Sequence, residues 1–468
     1  MKWLVVCWGL LLCICSAQAT EEAWFEKFRL PEPELEKLPN GLEIAWFLDA
    51  RLPLLDLVLL TRSGYRDDPE RKSGVAQLMA TTLDQGAGKA SAGEFSQAIE
   101  SLGAARFVSS DEETIVAGIH GLSFDADRLL ELFSDLVLRP RFEGEAFERE
   151  KTRLIEARQT LPDQGGALAA VALHRALGSE TPYARGPVLS VQELKRVQRS
   201  DVIAYHRTHF VPSNAILMVV GAVDRAKMRE KINAAFGAWK GTAPARRSLR
   251  PKLSRFEMGA NDLILVDRPG LTQAQVRVGF RVSGVKSKEH YAQTVVNALL
   301  GEYFNSRLNA RIRDELGLSY SVGSEVSHAR DLSVVAISAA TRNDSVGALL
   351  REIRATLRSL SLRPVDATEL ATAREYMIGG FPLANSTVSG VATRWLAGRV
   401  LERGADFLNS FIPQVQKVSL EQIHRVARSE FNPKRVVVVV VGDAARLRET
   451  LRQSGFKKLK VISANEYL

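Results

Sequence analysis

Beyond residue 19 this 468-residue chain has no cysteine. Its three cysteines are Cys7, Cys13 and Cys15. A disulfide framework, a thiolate nucleophile and a cysteine metal site are therefore excluded from the rest of the chain. Long hydrophobic runs are also missing. The apolar stretch from Trp3 to Cys15 falls short of the ~20 residues a membrane-spanning helix needs. It is preceded by Lys2 and followed by Ser16-Ala17-Gln18-Ala19. That is the pattern of a signal peptide over residues 1–19 with cleavage after Ala19, so the expectation is an exported, periplasmic protein with no stable membrane span. Aromatic residues are sparse, at 7%. The excess of 63 Lys+Arg over 54 Asp+Glu gives only +9, spread among acidic residues. Without a basic stripe interleaved with aromatics, no nucleic-acid partner is expected. Also absent are a Gly-x-Ser-x-Gly elbow and a Gly-rich phosphate loop.

What is present is a repeat. Arg196–His206 and Lys417–Ala427 both read as amphipathic helices. Each leads to a Phe, a Pro, an apolar strand and a Gly. Phe210 and Phe431, Pro212 and Pro433, and Gly221 and Gly442 all lie 221 positions apart. The strands between them are Ala215–Val220 and Val436–Val441, followed by helices over Arg225–Trp239 and Ala444–Gln453. Earlier in each half, strands are expected at Leu42–Phe47 and Leu54–Arg62, matched by Leu263–Val266 and Ala274–Val282. Helices then follow at Gly74–Leu83 and His290–Leu300. Residues 241–255 carry Pro244, Pro251 and many basic residues without apolar periodicity, as a linker does. The reading is α+β: two homologous domains, 20–240 and 256–468, each a mixed or antiparallel sheet covered by helices.

Three local stretches carry a family likeness. They are Ser73-Gly74-Val75-Ala76-Gln77-Leu78-Met79-Ala80-Thr81, Phe147-Glu148-Arg149-Glu150-Lys151, and Phe304-Asn305-Ser306-Arg307-Leu308 continuing to Leu316-Gly317-Leu318-Ser319-Tyr320-Ser321-Val322. With the tandem halves they make the chain resemble the M16 (pitrilysin/insulinase-like) zinc peptidases, over nearly its whole length past residue 19, and most of all the short bacterial members, which work as dimers. The resemblance implies two domains of the LuxS/metallohydrolase-like type. Catalytic members carry His-x-x-Glu-His on the first helix of the first domain. Two His one turn apart hold zinc, and the Glu acts as base on a zinc-bound water. The matching positions here are Gln77, Ala80 and Thr81. They share one helix face, but none supplies an imidazole and Ala80 cannot take a proton. The third ligand of the family is a Glu on a later helix. Matching Glu148-Arg149-Glu150 to that helix puts Glu150 at the supporting position and Ala157 at the ligand position, with Glu156 one residue away in the alternative register.

The resemblance also implies that Arg313 and Tyr320 bind the peptide backbone and stabilise the oxyanion, reaching across to a zinc-bearing site. Arg is a permanent donor suited to an oxyanion. Gly317 between them lets the helix end and the chain turn, with Tyr320 entering a strand. The seven histidines offer no replacement ligand set. Only His206 and His209 are close, and the ordinary reading is a polar helix C-terminus where His suits the dipole. The expectation is a non-catalytic subunit with no metal or other cofactor of its own. It would pair with a zinc-bearing M16 subunit as a heterodimer and supply half of an enclosed peptide chamber. The alternative is a catalytically dead binding or scaffold protein.

Overall fold

The computed structural model describes residues 25–468, apart from 26, 180, 187–189, 246–261 and 405. The expected signal peptide at 1–19 and positions 246–255 of the expected linker lie outside the described residues. In the first half the chain forms β1 (Glu34–Lys37), β2 (Glu43–Leu48), β3 (Leu54–Thr61), α1 (Val75–Leu83), α2 (Ala92–Glu100), β4 (Ala105–Ser110) and β5 (Ile115–Leu122). It continues with α3 (Ala126–Leu138), α4 (Gly144–Gln159), α5 (Gly165–Leu177), α6 (Val191–Arg196), α7 (Arg199–His209), β6 (Ala215–Gly221) and α8 (Arg225–Phe236). The second half repeats the plan with β7 (Asp262–Asp267), β8 (Gln273–Val282), α9 (His290–Asn297), β9 (Val322–His328), β10 (Ser333–Arg342), α10 (Val346–Leu362) and α11 (Ala367–Ala384). It ends with α12 (Val388–Val400), α13 (Phe407–Lys417), α14 (Leu420–Ser429), β11 (Val437–Gly442), α15 (Ala444–Gln453) and β12 (Lys458–Ser463).

Each half builds a six-stranded mixed sheet, in the orders β1-β2-β6-β3-β5-β4 and β12-β7-β11-β8-β10-β9. The parallel pairs β2–β6 and β7–β11 correspond. The outer edges do not. β1 enters from the start of the chain and runs antiparallel to β2, whereas β12 comes from its end and runs parallel to β7. At the end of β6, Gly221 has φ +126, and a Cβ there would lie 2.0 Å from the Leu54 carbonyl oxygen. The first half therefore needs glycine at this strand end.

β6 and β11 are buried along their whole length, so both faces of each sheet are covered. One face is covered from within its own half. On the first sheet that layer includes Trp46, Phe95, Phe133 and Phe236. The opposite face is covered by the other half. Val391, Ala392, Trp395 and Leu396 of α12 pack on Phe47, Val58, Leu60, Met218 and Val220 of the first sheet. Trp395 meets Phe47 edge-to-face at 5.9 Å. Reciprocally, Leu168, Leu173 and Leu177 of α5 pack on Ile264, Val266, Val437, Val439 and Val441 of the second sheet. The halves thus exchange one helix each, and neither closes its own core. A buried cluster adds to the junction. Arg66 Nη1 is 2.6 Å from Glu113 Oε1 and 2.6 Å from the Tyr183 hydroxyl, and it reaches Asp331 of the second half at 3.5 Å. The Arg330 backbone N–H donates to the other Glu113 oxygen at 2.7 Å.

Candidate functional site

α1, which carries the positions matching the zinc motif, is placed firmly. Buried Asp68 accepts the backbone N–H groups of Gly74 at 2.7 Å and Ala76 at 2.8 Å, capping the helix. Burial pushes the Asp68 carboxyl up to about 7. Val75, Leu78, Met79 and Leu83 anchor α1 in the first core. Of the three motif positions, the Gln77 side-chain amide oxygen Oε1 accepts the Ser110 hydroxyl at 2.8 Å. Ala80 is buried, and the Thr81 hydroxyl bonds back to the Leu78 carbonyl at 3.3 Å. On α4, Glu150 pairs with Arg153 at 2.8 Å, while Glu156 and Ala157 are both exposed. A zinc ion needs three side chains with nitrogen, sulfur or carboxylate donors converging on it. Gln77, Ala80, Thr81 and Ala157 do not offer that set. Among the described residues no group of three His, Cys, Asp or Glu is arranged to hold a metal ion.

The histidine pair near the end of α7 differs from the expectation of a solvated, dipole-compensating terminus. His206 is enclosed, with Phe142 at 5.4 Å and Phe210 stacked at 4.8 Å. Its Nε2 donates to the Val137 carbonyl at 2.9 Å. Burial pushes its pKa down to about 4, so at neutral pH it is uncharged and cannot serve the dipole as a cation. His209 turns to Ser63 instead, at 2.9 Å from its hydroxyl.

In the second half, α9 gives way to a π-helical turn at Ala298–Glu302, so the expected helix His290–Leu300 changes winding before its end. A second π-helical segment, Asn309–Glu315, carries Arg313. Arg307 fixes this region to α11 through a bidentate pair with Glu369 at 2.8 and 2.7 Å. Arg313 is held from two sides. Its Nε donates to Asp314 at 2.8 Å and its Nη2 to the Phe304 carbonyl at 3.1 Å. Its guanidinium lies 3.6 Å from the centre of the Phe304 ring. The Asp314 hydrogen bond raises the Arg313 pKa further, and Tyr320 lies within electrostatic reach. Gly317 has φ +56, as the turn requires. Tyr320 differs from its expected place in a strand. It sits two residues ahead of β9 and is 93% exposed, because the turn at Gly317 lifts it off the sheet edge. Phe304 is likewise 72% exposed. Phe304 and Asp314 thus orient a partly covered Arg313, which lies within electrostatic reach of the exposed Tyr320. Phe304 stands in the stretch that carried the family likeness, but nothing in its spacing announces the stack.

A cavity of about 800 Å³ lies between the facing sheets. Its walls include Val58, Leu60 and Met218 from one half and Val334, Ala336 and Arg277 from the other, with Leu173 and Leu396 from the exchanged helices. No helix among the described residues is long and apolar enough to cross a membrane.

Comparison with known proteins agrees with this architecture. Residues 56–187 match the family model described as insulinase (peptidase family M16), and residues 196–377 match the one described as peptidase M16 inactive domain. The zinc protease PqqE of Helicobacter pylori is 24% identical over 413 residues, covering 86% of this chain and 91% of that protein. An uncharacterized zinc protease of Mycobacterium tuberculosis is 23% identical over 398 residues, covering 85% and 90%. Among solved structures, a peptidase M16 inactive domain from Pseudomonas fluorescens superposes with TM-score 0.81 at 20% identity, covering 88% of this chain and 98% of that one. A protease from Helicobacter pylori does so with TM-score 0.81 at 23% identity, covering 88% and 100%. On its two matching domain models, its tandem halves and its fold, the chain belongs to the M16 peptidase family.

Proposed function

We propose that this chain is the non-catalytic subunit of a heterodimeric, periplasmic M16 zinc peptidase. A partner chain carries His-x-x-Glu-His and the zinc. This chain contributes Arg313, Tyr320 and half of an enclosed peptide chamber. The observation that carries the reading is the contrast between its two candidate regions. The motif face of α1 is built from Gln77, Ala80 and Thr81, with Ala80 buried. The second half keeps an oriented arginine within electrostatic reach of an exposed tyrosine. Two such donors suit a peptide carbonyl that becomes an oxyanion, and they act only on a reaction initiated elsewhere.

The test is peptide cleavage by the purified chain, by a zinc-bearing M16 chain encoded in the same genome, and by the mixture, with metal analysis of each. The expected result is a metal-free, inert chain whose addition activates the partner. Arg313→Ala or Tyr320→Phe then lowers kcat of the mixture by roughly 10²–10³, the usual loss for one oxyanion donor. A mixture no more active than the partner alone, or silent variants, would leave a scaffold in its place. Export is tested separately: a mature N-terminus at Thr20 in the periplasmic fraction supports it, and retention of Met1 in the cytoplasm removes it.

A further inference from the structure

At the junction of the halves lies a recess of about 300 Å³ lined by Arg62, Arg330, Arg399, Val400, Glu402 and Arg403. Its arginines come from distant parts of the chain. Arg62 follows β3 in the first half, Arg330 is in the β9–β10 turn, Arg399 is in the last turn of α12, and Arg403 lies just beyond it. Sequence reading gives no hint of this convergence.

The charges do not balance. One Glu43 oxygen serves both Arg62 at 3.2 Å and Arg399 at 3.4 Å. Glu402 serves Arg330 at 2.9 Å and also Lys286. Arg403 has no ion pair among the described residues. Its Nη2 donates to the Tyr291 hydroxyl at 3.0 Å, and its guanidinium faces Phe407 at 4.7 Å. Glu43 and Glu402 are thus each shared between two cations and Arg403 has neither, while Asp331, the further carboxylate within electrostatic reach of Glu402, is engaged by Arg66. The buried Nε of Arg399 has no hydrogen-bond partner. His290 and His328 are pushed down to about 3 and about 4, first by burial and then by the Arg403 charge, so neither adds a further positive charge at neutral pH. Glu402 itself sits at φ +56 just past α12, where glycine is usual. Such a backbone is the mark of a position fixed by its surroundings.

We propose that this recess binds a small divalent oxyanion of the phosphate type, and that the bound anion ties the two halves together. Guanidinium forks match the oxygens of a tetrahedral anion, and several converging forks favour a dianion over a monovalent carboxylate. Because Arg62 belongs to the first half and Arg399 and Arg403 to the second, an anion between them bridges the junction. The site is independent of the peptidase reading.

The experiment is calorimetric titration of the full mature chain with inorganic phosphate, at slightly alkaline pH and fixed ionic strength, alongside thermal melts. The expected result is one saturable site, competed by sulfate, with acetate at least about tenfold weaker. Tm should rise with phosphate as ligand binding to the native state demands. Arg399→Gln and Arg403→Gln should each weaken phosphate by about tenfold or more, the cost of one charged hydrogen bond. Arg403→Lys, which keeps the charge and the fold but loses the fork, should fall between. Absence of saturable heat, equal affinity in the variants, or an equal Tm rise with chloride at matched ionic strength would overturn the proposal. Acetate binding as tightly as phosphate would overturn the dianion assignment.

Discussion

The two halves share a central sheet topology but differ in the side chains they carry at corresponding places. In the first, α1 is capped by Asp68, sunk into the core through Leu78 and Met79, and carries side chains unsuited to zinc. In the second, the corresponding helix α9 gives way to a π-helical turn, a separate π-helical segment carries Arg313, and Tyr320 stands exposed beyond the turn at Gly317. A duplicated fold can change such side chains on either copy, because the sheets and the exchanged helices do not depend on them. What both halves cannot lose is each other.

The largest expected effect addresses that dependence. Trp395→Ala empties a fully buried site on α12 and should cost about 3–5 kcal/mol. Urea unfolding should show one transition. Hydrogen exchange should show lost protection in β3 and β6, strands of the half that was not mutated; intact protection there would break the picture of exchanged cores. Next comes Glu113→Ala, which leaves the Arg66 guanidinium buried without its closest partner. About 3–5 kcal/mol is the usual cost of breaking such a pair. An exposed pair such as Arg128–Glu131 should contribute less than ~1 kcal/mol. Equal effects of the two would mean that the junction cluster is not buried in solution.

Buried histidines in both halves and the buried Asp68 of the first half should also answer pH in opposite senses. His206 in the first half and His290 and His328 in the second have pKa values held below the ordinary 6.5. Their contributions are present above about 6.5 and are lost as pH falls toward 4 and 3, because the unfolded chain binds protons first. Asp68, raised to about 7, works the other way: its contribution is present below its ordinary value of 3.8 and is lost as pH rises through 7. Thermal melts across pH should flatten on the acid side for His328→Gln and on the neutral side for Asp68→Asn. Unchanged profiles would remove these groups from the balance. The smallest effect is expected at the surface. Tyr320→Phe should change stability by less than about 0.5 kcal/mol, so that any loss of activity in the mixture belongs to chemistry and not to folding.

Much of the fold was legible. The 221-residue offset set the pairing of halves, and helix Ala444–Gln453 was bounded to the residue. The apolar runs at β6 and β11 read as strands of a sheet covered by helices, but they do not announce the cover on the second face. They could not say by which helix, since α5 and α12 look like any amphipathic segment until their partners are known. Of the candidate site, Arg313 and Tyr320 were marked by the family resemblance and not by spacing; the turn at Gly317 between them was legible, whereas Tyr320 lies ahead of the strand it was expected to enter. The stack on Phe304 and the enclosure of His206 depend on tertiary contacts that spacing does not encode. The arginines around Glu402 were invisible for the same reason.

The exchange of α5 and α12 also orders events in time. The N-terminal part of the chain appears first, so the first sheet can assemble once β6 is present, and its outer layer can form with α8. Its inner face, with Phe47, Val58, Leu60 and Met218, has no cover until α12 follows and docks. Until then the first half carries an open apolar face. A holding chaperone finds its binding surface there, and truncation anywhere before α12 yields a first half that aggregates and does not stand alone.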